Sequence, residues 1–194
     1  MKKRNGGSVI EILRIALSLL IICTVVSAVV SAVHGLTYEK YQQNLLEQKR
    51  TAISALFGGT AVDCEELATE GDSVEELYRV RRDGNVVGYC ANVKSAGFGG
   101  DIDMMVAISP DGELLGVRIV SMSETPGLGS RAGEEDYLSQ YEQMTFPGSH
   151  AHEDLVLGED VDAISGATIS SRAVLSGVNA ALDALLPYIV VGGN

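Results

Sequence analysis

The 194-residue sequence is poor in the residues and motifs that mark the commonest kinds of functional site. It has three cysteines, three histidines and no tryptophan, and the cysteine spacings match neither a zinc nor an iron–sulfur pattern. It contains no GxxxxGK(S/T) phosphate loop, no GxSxG nucleophile elbow, no GxGxxG fingerprint and no HExxH zinc helix. The familiar catalytic motifs therefore do not account for its function.

Positive charge is also scarce, with 14 Lys and Arg against 26 Asp and Glu, for a net charge of −12. Nucleic-acid binding is therefore not expected, because neutralising phosphates requires clustered Lys and Arg. The charge is uneven: residues 1–34 carry four basic and one acidic side chain (+3), and the rest carries ten and 25 (−15). With 46% apolar residues the chain is not a disordered acidic tail, and its length indicates one main domain.

A long apolar run near the amino terminus predicts a membrane anchor. Residues 15–33 contain no charged side chain, and as a helix they span about 28 Å, close to the ~30 Å core of a bilayer. Small residues at 30–32 would also suit signal-peptide cleavage, but an h-region runs only ~7 to 15 residues, so a retained anchor is favoured. The basic residues before the run place the amino terminus in the cytoplasm: Lys2, Lys3, Arg4 and Arg14.

These features predict a single-pass protein of the cell (inner or cytoplasmic) membrane. Residues 1–9 form a cytoplasmic tail, 10–34 the transmembrane helix, and everything beyond is extracytoplasmic. Residues 35–76 form a connecting region in which Thr37–Phe57 is predicted as a helix that ends at Gly58 and Gly59. The acidic stretch Asp63–Glu76 is predicted as a linker or an exposed helical face.

From residue 77 onward, short apolar runs alternate with turn residues. Leu77–Arg82 and Val86–Val93 flank Asp-Gly-Asn and predict a β-hairpin. Met104–Ser109 and Leu114–Met122 flank Pro-Asp-Gly and predict a second one. Four strands in this order indicate an antiparallel sheet.

Two helices are predicted beyond the sheet, which gives an α+β domain with an antiparallel sheet and flanking helices. Glu134–Met144 reads as a short acidic helix, and Ser171–Leu186 carries apolar residues at helical spacing until Pro187 ends it. This domain spans residues 77–187, and 188–194 form a carboxy-terminal tail.

Cysteine and histidine leave two smaller questions. Cys64 and Cys90 could form a disulfide in an oxidising exterior, and the sequence does not decide whether they do. His150 and His152 alternate in a way that could invite a metal, but the preceding Pro147 and Gly148 favour a solvated loop, so no metal site is expected.

The segment Asp162–Ser171 is the most informative part of the sequence. Its small residues would let a bulky group approach the backbone, while Thr168, Ser170 and Ser171 place hydroxyls where a helix begins. The free amides and positive dipole end of a helix suit a phosphate. Ser and Thr are also ordinary helix caps, so residue types and spacing leave both interpretations open.

The same ten residues resemble the flavinylation motif of the FMN-binding domain family, in which Asp precedes Ser/Thr-Gly-Ala-Thr and the last Thr carries FMN through a phosphoester bond. Gly97–Gly100, the Met104–Val120 hairpin and Glu124–Gly129 are similar to that family in the same order. The resemblance covers roughly residues 77–187. Within the family, the arrangement is most similar to the RnfG proteins of Rnf-type electron-transport complexes, and next to the NqrC proteins of sodium-pumping quinone reductases.

The resemblance implies a role for each matching residue. Thr168 would carry FMN covalently, and a separate flavin transferase would recognise its neighbours Asp162, Ser165, Gly166 and Ala167. Ser170 and Ser171 would complete a phosphate nest. The loop near the flavin ring would contain Glu124, Thr125, Leu128 and Gly129. A basic residue is expected near the ring, namely Lys94, Arg118 or Arg131, and with no Trp available Tyr137 or Tyr141 would stack on the flavin or pack in the core.

The function implied is that of an electron carrier with no stand-alone catalysis. The chain would relay electrons within a membrane complex that couples ferredoxin:NAD electron transfer to ion translocation, with the complex's other membrane proteins as partners. The alternatives are an NqrC-like component of a quinone reductase, an anchored flavin-based redox sensor, and a plain binding module in which the Ser-Gly-Ala-Thr segment is only a helix cap.

Overall fold

A long helix, a five-stranded sheet and a carboxy-terminal helix are the main elements of the computed structural model, which describes residues 6–59, 61–69, 74–146 and 154–191. Short 3₁₀ helices at Gly129–Gly133 and Ser139–Tyr141 flank the shortest α-helix. The elements in chain order are α1 (Gly6–Leu56), β1 (Asp63–Leu67), β2 (Val74–Arg82), β3 (Asn85–Ala96), β4 (Asp101–Ile108), β5 (Leu114–Ser121), α2 (Glu135–Leu138) and α3 (Thr168–Val191).

Helix α1 joins the apolar run and the predicted helix that follows it into one element of 51 residues. It contains a window of mean hydropathy 2.6 whose side chains are all exposed, so it is long and apolar enough to cross a membrane. Its end is as predicted: Gly58 and Gly59 adopt left-handed φ angles of 81° and 72°, and the Gly59 amide donates to the Ser54 carbonyl at 2.7 Å. Two compact units divide within this helix, Met1–Leu46 and Glu47–Asn194.

The sheet is an antiparallel meander in the order β1-β2-β3-β4-β5, and both predicted hairpins are present. Asp83 and Gly84 join β2 to β3 with φ angles of 51° and 82°, the left-handed conformation that such a tight turn needs.

The first strand corrects the sequence prediction for the acidic stretch. Asp63–Leu67 is neither linker nor helix but an edge strand that pairs with β2. The acidic residues suit this position because they remain solvated and meet arginines of the neighbouring strand: Glu65 lies 3.2 Å from Arg79 and 3.1 Å from Arg81.

Each face of the sheet is covered by a helix of the second unit. On one face Val93 and Met104 pack beneath α3, where Gly177 lies so close that a Cβ would sit 2.8 Å from the Met104 side chain. The other face receives the end of α1, with the Phe57 ring over Gly88 and Leu56 beside Gly116.

The two predicted helices after the sheet both differ from expectation. The acidic helix is only α2 and the 3₁₀ turn after it, in which Tyr137 and Tyr141 are buried with their rings edge to face. Helix α3 begins three residues early, at Thr168, and continues through Pro187, so the prediction that Pro187 ends it is wrong. One further turn is held in place because Tyr188 stacks on Tyr89 and donates to the Ala68 carbonyl at 3.3 Å.

Cys64 and Cys90 are both free thiols, so the disulfide that the sequence left open is not formed. Cys64 lies on β1 and Cys90 on β3, with β2 between them. Burial raises the pKa of the Cys90 thiol, which keeps it protonated and unreactive. The segment with His150 and His152 lies outside the described residues.

A buried lysine ties the end of α1 to the sheet. Lys49 is 7% exposed and its Nζ lies 2.7 Å from Oε2 of Glu76, which also accepts a 2.6 Å hydrogen bond from the Tyr78 hydroxyl. Burial alone would raise the pKa of Glu76, but the hydrogen bonds from Lys49 and Tyr78 outweigh it and hold the pKa below its ordinary value. The ion pair is therefore part of what holds the second unit together at neutral pH.

Replacing Lys49 by methionine should destabilise the fold at pH 7, because Glu76 would stay charged without its cation. We expect a loss of about 1–2 kcal/mol in the free energy of unfolding, measured by urea denaturation of the detergent-solubilised chain. A carboxyl whose pKa is lowered on folding stabilises fully above its ordinary value, here 4.5, and loses that effect as pH falls through the folded value. The loss should therefore shrink between about pH 5 and pH 3.

The matched control is Lys94→Met. Lys94 forms a 2.5 Å pair with Glu75, but both side chains are exposed, so this variant should lose less than about 0.5 kcal/mol. Equal losses in the two variants, or a Lys49→Met loss that does not change with pH, would contradict the role given to the buried pair.

Candidate functional site

A cavity of about 400 Å³ lies where the first turn of α3 meets two glycine-containing loops. One loop joins β3 to β4, and the other follows β5. The cavity lies in the part of the chain that forms the second unit. Its lining residues are Phe98, Glu124, Thr125, Leu128, Gly129, Gly166, Ala167, Thr168, Ile169 and Ser170.

The start of α3 forms one wall of this cavity. A turn leads into the helix, closed by a 2.9 Å hydrogen bond from the Ala167 amide to the Ile164 carbonyl, and Gly166 supplies the left-handed φ of 79° that the turn needs. Thr168 is the first residue of the helix and is exposed. Among the described residues its hydroxyl has no hydrogen-bond partner. The amides of the first turn and an accessible hydroxyl therefore meet at one point.

The loop after β5 forms the opposite wall with little side-chain bulk. The amides of Leu128 and Ser130 both donate to the Thr125 carbonyl at 3.2 Å, which closes the loop on itself. Gly127 adopts a φ of 75°, and its amide donates to the Ser130 hydroxyl at 2.9 Å. Leu128 is 50% exposed and gives the cavity an apolar edge.

A nearly buried carboxylate joins the walls. Glu124 is 8% exposed, and its Oε1 accepts hydrogen bonds from the amides of Phe98 at 2.7 Å and Gly99 at 3.1 Å. Its Oε2 accepts a 2.9 Å hydrogen bond from the hydroxyl of Ser170. One side chain thus connects both loops with the first turn of α3.

Comparison with known proteins assigns the family. A family model described as an FMN-binding domain matches residues 97–183. The ion-translocating oxidoreductase complex of Methanosarcina acetivorans has a G component, RnfG, that is 34% identical over 82% of this chain and 88% of its own length. The chain belongs to the RnfG family.

Two further comparisons agree with that assignment. The G component of the proton-translocating ferredoxin:NAD(+) oxidoreductase complex of Clostridium ljungdahlii is 26% identical over 96% of this chain and 97% of its own length. The crystal structure of the C component of the Na(+)-translocating NADH-quinone reductase from Parabacteroides distasonis superposes with a TM-score of 0.60 and 14% identity, covering 79% of this chain and 96% of that one. The latter likeness supports the α+β fold.

The cavity of this RnfG-family chain brings together most of the residues that the sequence singled out, although they come from two segments some 40 positions apart. Asp162, Ser165 and Ser171 do not line it. Asp162 and Ser165 are exposed before the helix, and the Asp162 amide donates to Gln140 at 2.9 Å. The residues that do line it are Glu124, Thr125, Leu128, Gly129, Gly166, Ala167, Thr168 and Ser170.

The two serines after Thr168 have internal partners. Ser171 is fully buried, where its hydroxyl donates to the Ala167 carbonyl at 3.1 Å and accepts from the Ile164 amide at 3.0 Å. It holds the turn in front of α3 from behind. Ser170 is directed to Glu124, so of the three hydroxyls in this segment only that of Thr168 is free among the described residues.

Aromatic lining comes from a residue that sequence reasoning did not assign to the site. Phe98 is 70% exposed and lines the cavity, while Tyr137 and Tyr141 lie in the core. The signal for Phe98 was its place between Gly97 and Gly99, since an apolar ring held on a glycine turn at the surface is unusual for a residue with only a packing role.

None of the three expected cations lines the cavity. Lys94 faces a neighbouring cavity of about 390 Å³ that shares Ile169 with the first and also contains Arg172, which the sequence analysis missed. Arg118 lies 3.7 Å from both Glu135 and Glu142 on the far side of β5. Arg131 is exposed in the 3₁₀ helix Gly129–Gly133. Arg172 could have been found from its position one helical turn after Thr168.

Proposed function

We propose that this chain is a membrane-anchored flavoprotein that carries FMN, bound through a phosphoester to the Thr168 hydroxyl, and relays electrons within an Rnf-type complex. The complex would couple electron transfer between ferredoxin and NAD to ion translocation, as the names of its relatives state for theirs. The observation that carries the proposal is the free, exposed Thr168 hydroxyl at the start of α3, in the wall of the cavity.

The residues present fit an FMN group. A cavity of about 400 Å³ lies within the ~300–1,000 Å³ range of small-molecule sites, and its lining is mainly apolar, as a flavin ring requires. The unbonded amides of the first helical turn suit the phosphate. Gly129 leaves room on the opposite wall, since a Cβ there would lie 2.6 Å from the Ser170 hydroxyl.

Attachment would be made by a separate flavin transferase with FAD as the donor. The Thr168 oxygen forms a bond to the phosphorus of the FMN moiety, the bridging bond of the pyrophosphate breaks, AMP leaves, and the hydroxyl proton is released. The exposed residues Asp162 and Ser165 next to the attachment point are accessible to such an enzyme. The turn at Gly166 presents Thr168 outward.

When bound, FMN supplies the reversible electron uptake, and the protein's own residues do the rest. The first turn of α3 would hold the phosphate, Phe98 and Leu128 would cover apolar ring surface, and Glu124 keeps the walls at fixed separation. Covalent attachment prevents loss of the cofactor on the extracytoplasmic side, where free FMN is scarce.

The remainder of the complex would have to provide the ion path. The apolar segment of α1 between residues 15 and 33 has no charged side chain, so it offers no route for an ion through the bilayer. We expect this helix to anchor the amino terminus on the cytoplasmic side and to contact other membrane proteins of the complex.

Affinity purification of the full chain from membranes in mild detergent tests the function. An electron-relay protein should retain yellow fluorescence after denaturation and should bring integral-membrane partners with iron–sulfur centres. A flavin-carrying chain that purifies without such partners would instead indicate a redox sensor. A chain without flavin would indicate a plain binding module.

A further inference from the structure

The carboxylate of Glu124 is held at both oxygens by neutral hydrogen-bond donors. The two amides of Phe98 and Gly99 donate to Oε1, and the Ser170 hydroxyl donates to Oε2. Three donors converging on one carboxyl group are the arrangement that favours its charged form. This group therefore places a fixed negative charge in the wall of the cavity.

The space around this carboxylate is reserved by glycines. A Cβ at Gly97 would lie 2.2 Å from Oε1, and a Cβ at Gly129 would lie 2.3 Å from Oε2. Neither position accepts any side chain unless Glu124 moves. The two glycines and the three donors together fix the carboxylate.

No cation neutralises the charge at close range. Among the described residues, no Lys, Arg or His lines the cavity, and the ion pairs found elsewhere in the described segments do not include Glu124. Burial of the residue reduces screening by water, so its field acts on whatever occupies the cavity.

We propose that Glu124 is a positioning residue whose charge also lowers the reduction potential of the flavin held in this cavity. The inference rests on the proposed function. Two-electron reduction of a flavin with uptake of one proton adds one negative charge to the ring. A fixed carboxylate nearby disfavours that added charge, so electrons leave for the next centre more readily.

Glu124→Gln tests the proposal, because the amide removes the charge and keeps the hydrogen-bonding shape. Its oxygen can accept from Phe98 and Gly99, and its nitrogen can donate to Ser170. The potential is measured on the full flavinylated chain by spectroelectrochemical titration. We expect reduction to become at least tenfold more favourable, a rise of about 30 mV for a two-electron couple.

Two other variants separate charge from structure. Glu134→Gln removes an equal charge from an exposed position outside the cavity and should change the reduction equilibrium less than twofold. Ser170→Ala leaves the Glu124 charge with one donor fewer, so it should lower the potential, the opposite direction to Glu124→Gln. If Glu124→Gln does not fold, the sign of the Ser170→Ala shift decides.

Equal potentials in Glu124→Gln and Glu134→Gln, or no fall in Ser170→Ala, would overturn the role of Glu124 and leave the proposed function standing. Absence of covalent flavin from the wild-type chain would instead overturn the proposed function, and this inference with it. Intact mass, recorded before each titration, distinguishes the two failures.

Discussion

Thr168→Ala should abolish covalent flavin and leave the fold unchanged. Thr168 is exposed, and its hydroxyl has no partner among the described residues, so we expect a change of less than about 0.5 kcal/mol in the free energy of unfolding. The flavin, in contrast, should be lost completely, since no other hydroxyl of this segment is free and exposed beside the cavity. In-gel fluorescence after co-expression with a flavin transferase measures the loss, and circular dichroism checks the fold.

Two controls accompany this variant. Thr168→Ser keeps a hydroxyl at the same place and should retain attachment. Thr125→Ala removes the other threonine hydroxyl that lines the cavity and should also keep the covalent flavin. Fluorescence that survives in Thr168→Ala, or disappears in Thr125→Ala, would place the bond elsewhere.

Gly99→Val should give the largest loss of stability among the loop substitutions near the cavity. A Cβ at Gly99 would lie 2.2 Å from the backbone oxygen of Ser123, and a backbone atom cannot rotate away as a side chain can. The loop would have to move by about 1 Å, which would break the hydrogen bonds from Phe98 and Gly99 to Glu124. We expect about 2 kcal/mol of destabilisation, or a fall in Tm of about 4–8 °C.

Ala96→Val is the matched control for this second variant. It adds the same branched side chain three residues earlier at an exposed position, so its Tm should change by less than about 2 °C. Thermal melts of both detergent-solubilised variants provide the comparison. A Tm for Gly99→Val within about 2 °C of that of Ala96→Val would show that the loop is not packed against Ser123 as described.

Much of the fold follows from local pattern. The two hairpins could be predicted because Asp83-Gly84 and Pro110-Asp111-Gly112 specify turns between apolar runs, and the end of α1 could be predicted because Gly58 and Gly59 stop a helix. These signals lie within a few residues of the structures they determine.

The errors arose where distant contacts outweigh local preference. The strand β1 is acidic and looks like a linker, and only its pairing with the arginines of β2 makes it a strand. Pro187 normally ends a helix, but the contacts of Tyr188 with Tyr89 and Ala68 hold one more turn. Neither partner is adjacent in sequence.

The candidate site divides in the same way. Thr168 could be singled out from its motif, whereas the pairing of Ser170 with Glu124 joins residues 46 positions apart and is visible only in the structure. The same contact explains why Ser170 is not free to bind a phosphate. Likewise the two cavities that meet at Ile169 could not be anticipated, since β3 contributes to one of them.

Tandem mass spectrometry of a single tryptic peptide tests the central claim most directly. Cleavage after Arg131 and Arg172 releases Ala132–Arg172, which has no internal Lys or Arg. For protein co-expressed with a flavin transferase, we predict that this peptide is heavier by FMN less one water and that fragmentation places the added mass on Thr168. An unmodified peptide, or added mass on any other hydroxyl of it, would contradict the account.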